Sequence, residues 1–326
     1  MRKQMNRSGK WLNVIRVAVF AGLASVVCLS CSSNRYEEKI IAVEHQDESL
    51  SGEGATLVLL NPEKPASPAK LILNGFESAC APSLSHDGQY LFFQGKEKAG
   101  DPWQIWVLDL KKGDPSLVIA LDENSTDPLA LPDGTVVFSR EGSVKGKQVF
   151  DLWRCGMDGC CLTQLTYNPA KNLYASILKE GRVIYSSTQV YPETKDPVLM
   201  VMRPDGTKSE IYSYGCCGLQ PASRAAESKD GYIYFIAGDG QLSRVLHRRP
   251  LHTFENLSRD MGGSFASVSP CEDGSILVSH RPAEGKTYDL YKLEPGSGSA
   301  PALLFSSEKN LSDAVMVRPL EFRPKI

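Results

Sequence analysis

Five acid–glycine pairs punctuate the chain at near-constant spacing. Asp87-Gly88, Asp133-Gly134, Glu180-Gly181, Asp230-Gly231 and Asp273-Gly274 follow one another at 46, 47, 50 and 43 residues. Each precedes a short apolar run: Tyr90–Phe93, Val136–Phe138, Val183–Tyr185, Tyr232–Phe235 and Ile276–Val278. Asp-Gly accepts positive φ at both positions, which predicts a tight two-strand hairpin at each pair. A unit of this size cannot bury both faces of its own sheet, so its copies must stack.

A second set of hairpins interleaves with the first. Its leading strands are Ile105–Leu110, Leu152–Cys155, Val198–Met202, Leu242–Leu246 and Leu290–Leu293. Turns follow at Lys112-Gly113, Asp158-Gly159, Asp205-Gly206 and Gly296–Gly298. Each period therefore holds four strands, a to d. Lys39–Val43, Thr56–Leu60 and Lys70–Leu73 read as strands b, c and d of a first unit that lacks its a strand. Ala314–Leu320 reads as an a strand with nothing after it. Ring closure, with the last strand completing the first unit, reconciles the two and removes the exposed sheet edges. The expected fold is all-β: a six-bladed β-propeller of four-stranded antiparallel blades over residues 39–326, closed by the C-terminal strand.

The repeat carries a family resemblance. Ser85-His86-Asp87-Gly88-Gln89-Tyr90-Leu91-Phe92-Phe93, with Gln104–Leu110, resembles the repeat of TolB-type propellers (the PD40, or WD40-like, repeat). Leu152–Thr166 and Met202–Thr207 are similar to the same family's strand-c and turn motif. His86 and Lys179 stand where the family has Pro. No counterpart of the N-terminal domain that precedes the TolB propeller is expected from this sequence. The third and fourth units, with Arg318-Pro319 and Arg323-Pro324, also resemble the propeller of hydrazine-synthase alpha-subunit-like proteins. Those attach haem through C-x-x-C-H, a motif missing from this sequence, so no cofactor is expected. A repeat resemblance implies the fold and leaves the activity open.

The N-terminus reads as an address. Residues 1–16 carry Arg2, Lys3, Arg7, Lys10 and Arg16 and no acid, and the apolar run Val17–Leu29 leads into Ser30-Cys31. This is the order of a secretory signal, and the run is shorter than a membrane span. Cys31 after a small residue resembles a bacterial lipobox, although Cys28 takes a place usually aliphatic. The expectation is a lipoprotein signal peptide over 1–30, lipidation at Cys31, a linker over 31–38 and outer-membrane location. Without the five leading basic residues, the 36 Lys+Arg and 38 Asp+Glu leave a formal charge of −7. That argues against nucleic acid as a partner.

Candidate chemistry is sparse. No H-E-x-x-H or G-x-S-x-G occurs, and the five histidines are scattered. No catalytic or metal-binding residue is therefore assigned; Asp122, Asn124 and Asp127 lack the Gly and final Glu of a calcium loop. Cys155 and Cys160 flank a turn and could bridge it; Cys216 and Cys217 could form a vicinal pair. Small buried thiols are the alternative for both. In a propeller of this strand order the b–c and d–a loops share one face, and here they are the longer set. Trp103, Tyr167, Tyr174, Tyr191 and Tyr214 flank or lie in them and are candidate anchors for an envelope protein or a small ligand. The alternative is that they pack between blades. The leading expectation is a non-catalytic binding or scaffolding propeller, held at the membrane by its lipid. The alternative is an enzyme, or an accessory subunit of a redox or hydrolytic complex, working at the channel. Three or more convergent His, Asp, Glu or Arg side chains at the channel mouth would favour the enzyme.

Overall fold

Six four-stranded antiparallel sheets surround a central channel in the computed structural model, which describes residues 35–188, 197–214, 221–238, 240–259, 261–296 and 300–319. The blades are numbered from the N-terminus, and their strands run a to d outward from the channel. Blade 1 joins Asn310–Met316 to Ile40–His45, Thr56–Leu60 and Lys70–Leu71. Ile40 pairs with both Leu60 and Met316, so the ring closes by hydrogen bonds rather than by a covalent turn.

Alternation along each strand explains the stacking. In strand b of blade 1, Ile40 and Ala42 pack against Leu277 and Leu290 of blade 6, while Ile41 and Val43 pack against Leu91 and Phe93 of blade 2. In blade 2, Phe92 turns the other way, towards Val136 and Phe138 of blade 3. Successive side chains point to opposite faces of a strand, so every blade is apolar on both sides. The core is accordingly six separate clusters, one at each blade interface.

Two sequence expectations are corrected. The a strand of blade 1 is Asn310–Met316, beginning four residues before the apolar stretch. Its first half carries Asn310 and Ser312, both buried. Polar residues suit a strand that borders the channel, so apolar alternation misses them. The acid–glycine turns also work differently. Only the glycine has positive φ, as at Gly88 (68°) and Gly134 (80°), and none of the four turn aspartates does. Gly134 N–H donates to Leu131 O at 3.1 Å and Leu131 N–H to Thr135 O at 2.8 Å, the pattern of a three-residue loop ending in a glycine bulge. The acid is there for its side chain. Asp87, Asp133, Asp230 and Asp273 each accept the backbone N–H two residues on, at 3.0 to 3.1 Å.

Candidate ligand site in the central channel

Five inner strands share an irregularity. Strand a of blades 2, 3, 4, 6 and 1 loses register with strand b near its middle. Four of these bulges place a non-glycine residue in the left-handed region: Ala81 (53°), Asp127 (54°), Tyr174 (59°) and Asp313 (46°). That conformation is costly for any residue with a Cβ and least so for Asp. A bulge re-aims a side chain, and these turn theirs towards the axis. Blade 5 supplies Arg224 at the corresponding place and blade 6 supplies Ala266. The six residues form a ring of one arginine, two carboxylates, one phenol and two alanines.

Arg224 closes the ring. Its Nη1 and Nη2 donate to Pro82 O at 3.2 Å and Pro128 O at 3.3 Å, which lie in blades 2 and 3. The guanidinium thus spans the channel from blade 5. Both carbonyls sit on the a–b-turn side of the bulges. Beyond the ring, towards the b–c and d–a loops, lies a cavity of about 380 Å³. His45, Gln94, Trp103, Asn124 and Phe150 line its wall, with the loop residues Leu50–Gly52 at its rim.

Hydrogen bonds fix these walls. Gln94 Oε1 accepts Asp127 N–H at 2.9 Å, while its Nε2 reaches Cys80 Sγ at 3.2 Å. Asn124 Oδ1 accepts Trp103 N–H at 2.8 Å. Lys96 Nζ stands 4.6 Å above the Trp103 ring and 2.6 Å from Glu53. His45 Nε2 lies 2.7 Å from Ser312 Oγ, and Ser312 Oγ donates to Asp313 at 2.9 Å. The serine sits between histidine and carboxylate, so Asp313 holds the Ser312 hydroxyl and does not orient His45 as the acid of a hydrolase triad does.

Burial dominates the electrostatics. It raises the Asp127 carboxyl above the ordinary range; Asp313 adds to the rise and Arg224 opposes it. Asp127 lies deep in the molecule while part of its surface still faces the channel. Burial lowers the His45 imidazole, and nearby Asp313 and Asp47 only partly offset this. The Tyr174 phenol is pushed up to about 12, first by burial and then by Asp127. Among the described residues no group of three His, Cys, Asp or Glu is placed to hold a metal ion.

The residues singled out from sequence fall in different places. Trp103 is buried between blades 1 and 2 with one side on the cavity. Tyr174 belongs to an inner strand and faces the channel. Tyr167 (77 % exposed) and Tyr214 (52 %) are exposed on the d–a loops, with the Tyr167 hydroxyl donating to Gln164 O at 3.1 Å. Cys155 is a buried free thiol and Cys160 an exposed one, so no bridge crosses their turn. Gly156 N–H instead donates to Cys160 O at 2.8 Å, closing that turn through the backbone. Cys31, Tyr191, Cys216 and Cys217 lie outside the described residues. Asp122 borders a separate groove between blades 2 and 3, and only Asn124 borders both that groove and the cavity.

His45, Arg224 and Asp313 escaped the sequence reading, yet a positional signal existed. Ala81, Asp127, Tyr174 and Arg224 each stand six residues ahead of the turn acid at 87, 133, 180 and 230. Once the turns are aligned, that column is the channel lining.

A six-bladed, four-stranded propeller with a polar, one-sided channel is the class these observations define. Solved structures share the fold. The chain superposes on hydrazine synthase from Kuenenia stuttgartiensis with a TM-score of 0.75 at 18% identity, covering 88% of this chain and 47% of that one. A nidogen/laminin complex gives 0.66 at 12% identity, over 86% and 98%. TolB from Acinetobacter baumannii gives 0.56 at 15% identity, over 86% and 67%. The chain thus spans about half the length of the hydrazine synthase chain. No family model and no curated protein sequence matches it. The fold is the one these proteins share.

Proposed function

We propose that this protein is a cell-envelope lipoprotein whose propeller binds a ligand or partner at the channel mouth and does no chemistry of its own. One observation carries the reading: the channel opens as a walled cavity on the loop face and is spanned at its floor by Arg224. A pocket with convergent polar groups on a rigid scaffold is the usual form of a binding site. Tyr167 and Tyr214 stand on the same face as exposed anchors. The basic n-region, short apolar run and Ser30-Cys31 support export and lipidation.

A second reading, an enzyme at the same channel, is favoured by the convergence of Asp127, Arg224, Asp313 and His45. Against it stand the Arg224 guanidinium, tied to two carbonyls, and Asp313, which contacts Ser312 rather than orienting His45. The test places photo-crosslinking residues at Tyr167 and Tyr214 in cells, with Lys112 on the opposite face as control. Adducts from the first two positions and none from the third are expected. Equal labelling of both faces, or none at Tyr167 and Tyr214, would overturn the binding face. Palmitate labelling that survives Cys31→Ala would remove the anchor.

A further inference from the structure

We propose that the channel cavity receives a primary ammonium group, seated between the Asp313 and Asp127 carboxylates. This rests on the binding reading above and names the chemistry of the same site. Charge is the first ground. The ring holds two carboxylates and one guanidinium, and Arg224 offsets Asp127 while its Nη1 and Nη2 are committed to Pro82 O and Pro128 O. Asp313, exposed to the channel, is left with a hydroxyl, Ser312 Oγ, and no salt-bridge partner among the described residues. Asp313 therefore presents a carboxylate to the cavity with no cation in salt-bridge contact among the described residues.

The second ground is independent of it. His45 is 3% exposed and lines the cavity, and its Nδ1 has no hydrogen-bond partner. The Ser312 hydroxyl proton goes to Asp313, so His45 Nε2 must donate to Ser312 Oγ. That fixes the tautomer and leaves Nδ1 as a bare acceptor. A buried acceptor without a donor is costly, and the rare instances in proteins call for an explanation. A ligand N–H supplies one.

The third ground is the rest of the wall. Trp103 already holds a cation, Lys96 Nζ, over its ring, and Phe150 and Tyr174 add aromatic surface. An ammonium carrying a short alkyl chain suits carboxylates below and aromatic faces beside it. A hard divalent cation would need six or more oxygens.

The ammonium could belong to a free amine or to a lysine side chain of a partner. Titration calorimetry on the full propeller separates them. The probes are pentylamine, pentanol, and two capped pentapeptides of glycine with a central lysine or norleucine. Saturable binding of pentylamine but not pentanol is expected, weakened at least tenfold by Asp313→Asn and by His45→Phe. Lysine-peptide binding tighter than pentylamine, with none for norleucine, assigns the group to a protein partner; the reverse order assigns it to a small amine. Equal binding of amine and alcohol, no saturation, or an unchanged affinity in Asp313→Asn overturns the proposal. Thermal melts of both variants check folding, and Asp127→Asn supplies a third isosteric probe if either melts early. Loop-face crosslinks without amine binding would sink this inference alone; losing both would sink the binding reading too.

Discussion

At the scale of single residues, the channel is built from conformations most side chains avoid. Ala81 and Tyr174 hold φ values of 53° and 59° without the local side-chain hydrogen bonds that help Asp there. Backbone strain of this kind is retained where the surrounding sheet over-determines it, often beside a functional site. Asp127 adds an electrostatic cost. Its carboxyl is raised in the fold, so the ionised form is disfavoured there. The sign follows by linkage: the group's stabilising contribution is complete below its unfolded pKa and is lost as pH rises through the folded one. Asp127→Asn should therefore melt higher than wild type at pH 7 and level with it at pH 3, a comparison two calorimetric scans would make. A variant that melts lower at pH 7 would mean that the attraction to Arg224 outweighs burial. None of this was legible from composition. Asp127 was visible only as a poor calcium ligand, because its meaning comes from Arg224, about a hundred residues away in the chain.

At the scale of strands and blades, the turn acids made the repeat readable, although for a different reason from the one the dipeptide suggests. The glycine supplies the left-handed step, and the aspartate holds the backbone beyond it. Strands b and c were legible because both their faces are buried and their sequences are continuously apolar, as in Val198–Met202. The inner strands were harder to read. Ser125, Asn172, Asn310 and Ser312 are buried polar residues, and the two asparagines satisfy backbone groups of neighbouring blades rather than any local pattern. Asn310 is the clearest case: its Oδ1 accepts Tyr288 N–H from blade 6 at 2.9 Å, and its Nδ2 donates to Asp47 O of blade 1 at 2.9 Å. Asn310→Ala leaves two backbone groups without these partners. We expect a loss of about 1–3 kcal/mol in urea unfolding. A loss below about 0.5 kcal/mol would show that water takes the place of the amide.

At the scale of the molecule, the seam in blade 1 is where, among the described residues, a single sheet is built from both ends of the propeller sequence. Ile40, Ile41, Val43, Glu44 and His45 all pair with the last strand, and Val317 N–H donates to Lys39 O at 2.8 Å. A chain ending at residue 309 would expose the edge of strand b and the cluster around Ile40 and Ala42. It should lose its cooperative melt and aggregate, and adding residues 310–326 as a separate peptide should restore part of the transition. A truncated chain that melts as wild type does would show that closure contributes little. The paired halves of this blade were legible because each was an incomplete unit. The channel was not, because it belongs to no single unit.

The span of Arg224 across the floor makes the propeller a cup with one mouth rather than a tube. Strand b of blade 1 starts at the floor end: Gly88, in an a–b turn of blade 2, lies against Arg318 and Pro319, just past the residues that pair with Lys39 and Ile40. The first described residues lie on this underside, where the Arg35 guanidinium approaches Gly113 of blade 2. What fills the cup therefore enters past the b–c and d–a loops, and a molecule held against the a–b turns has no direct path in.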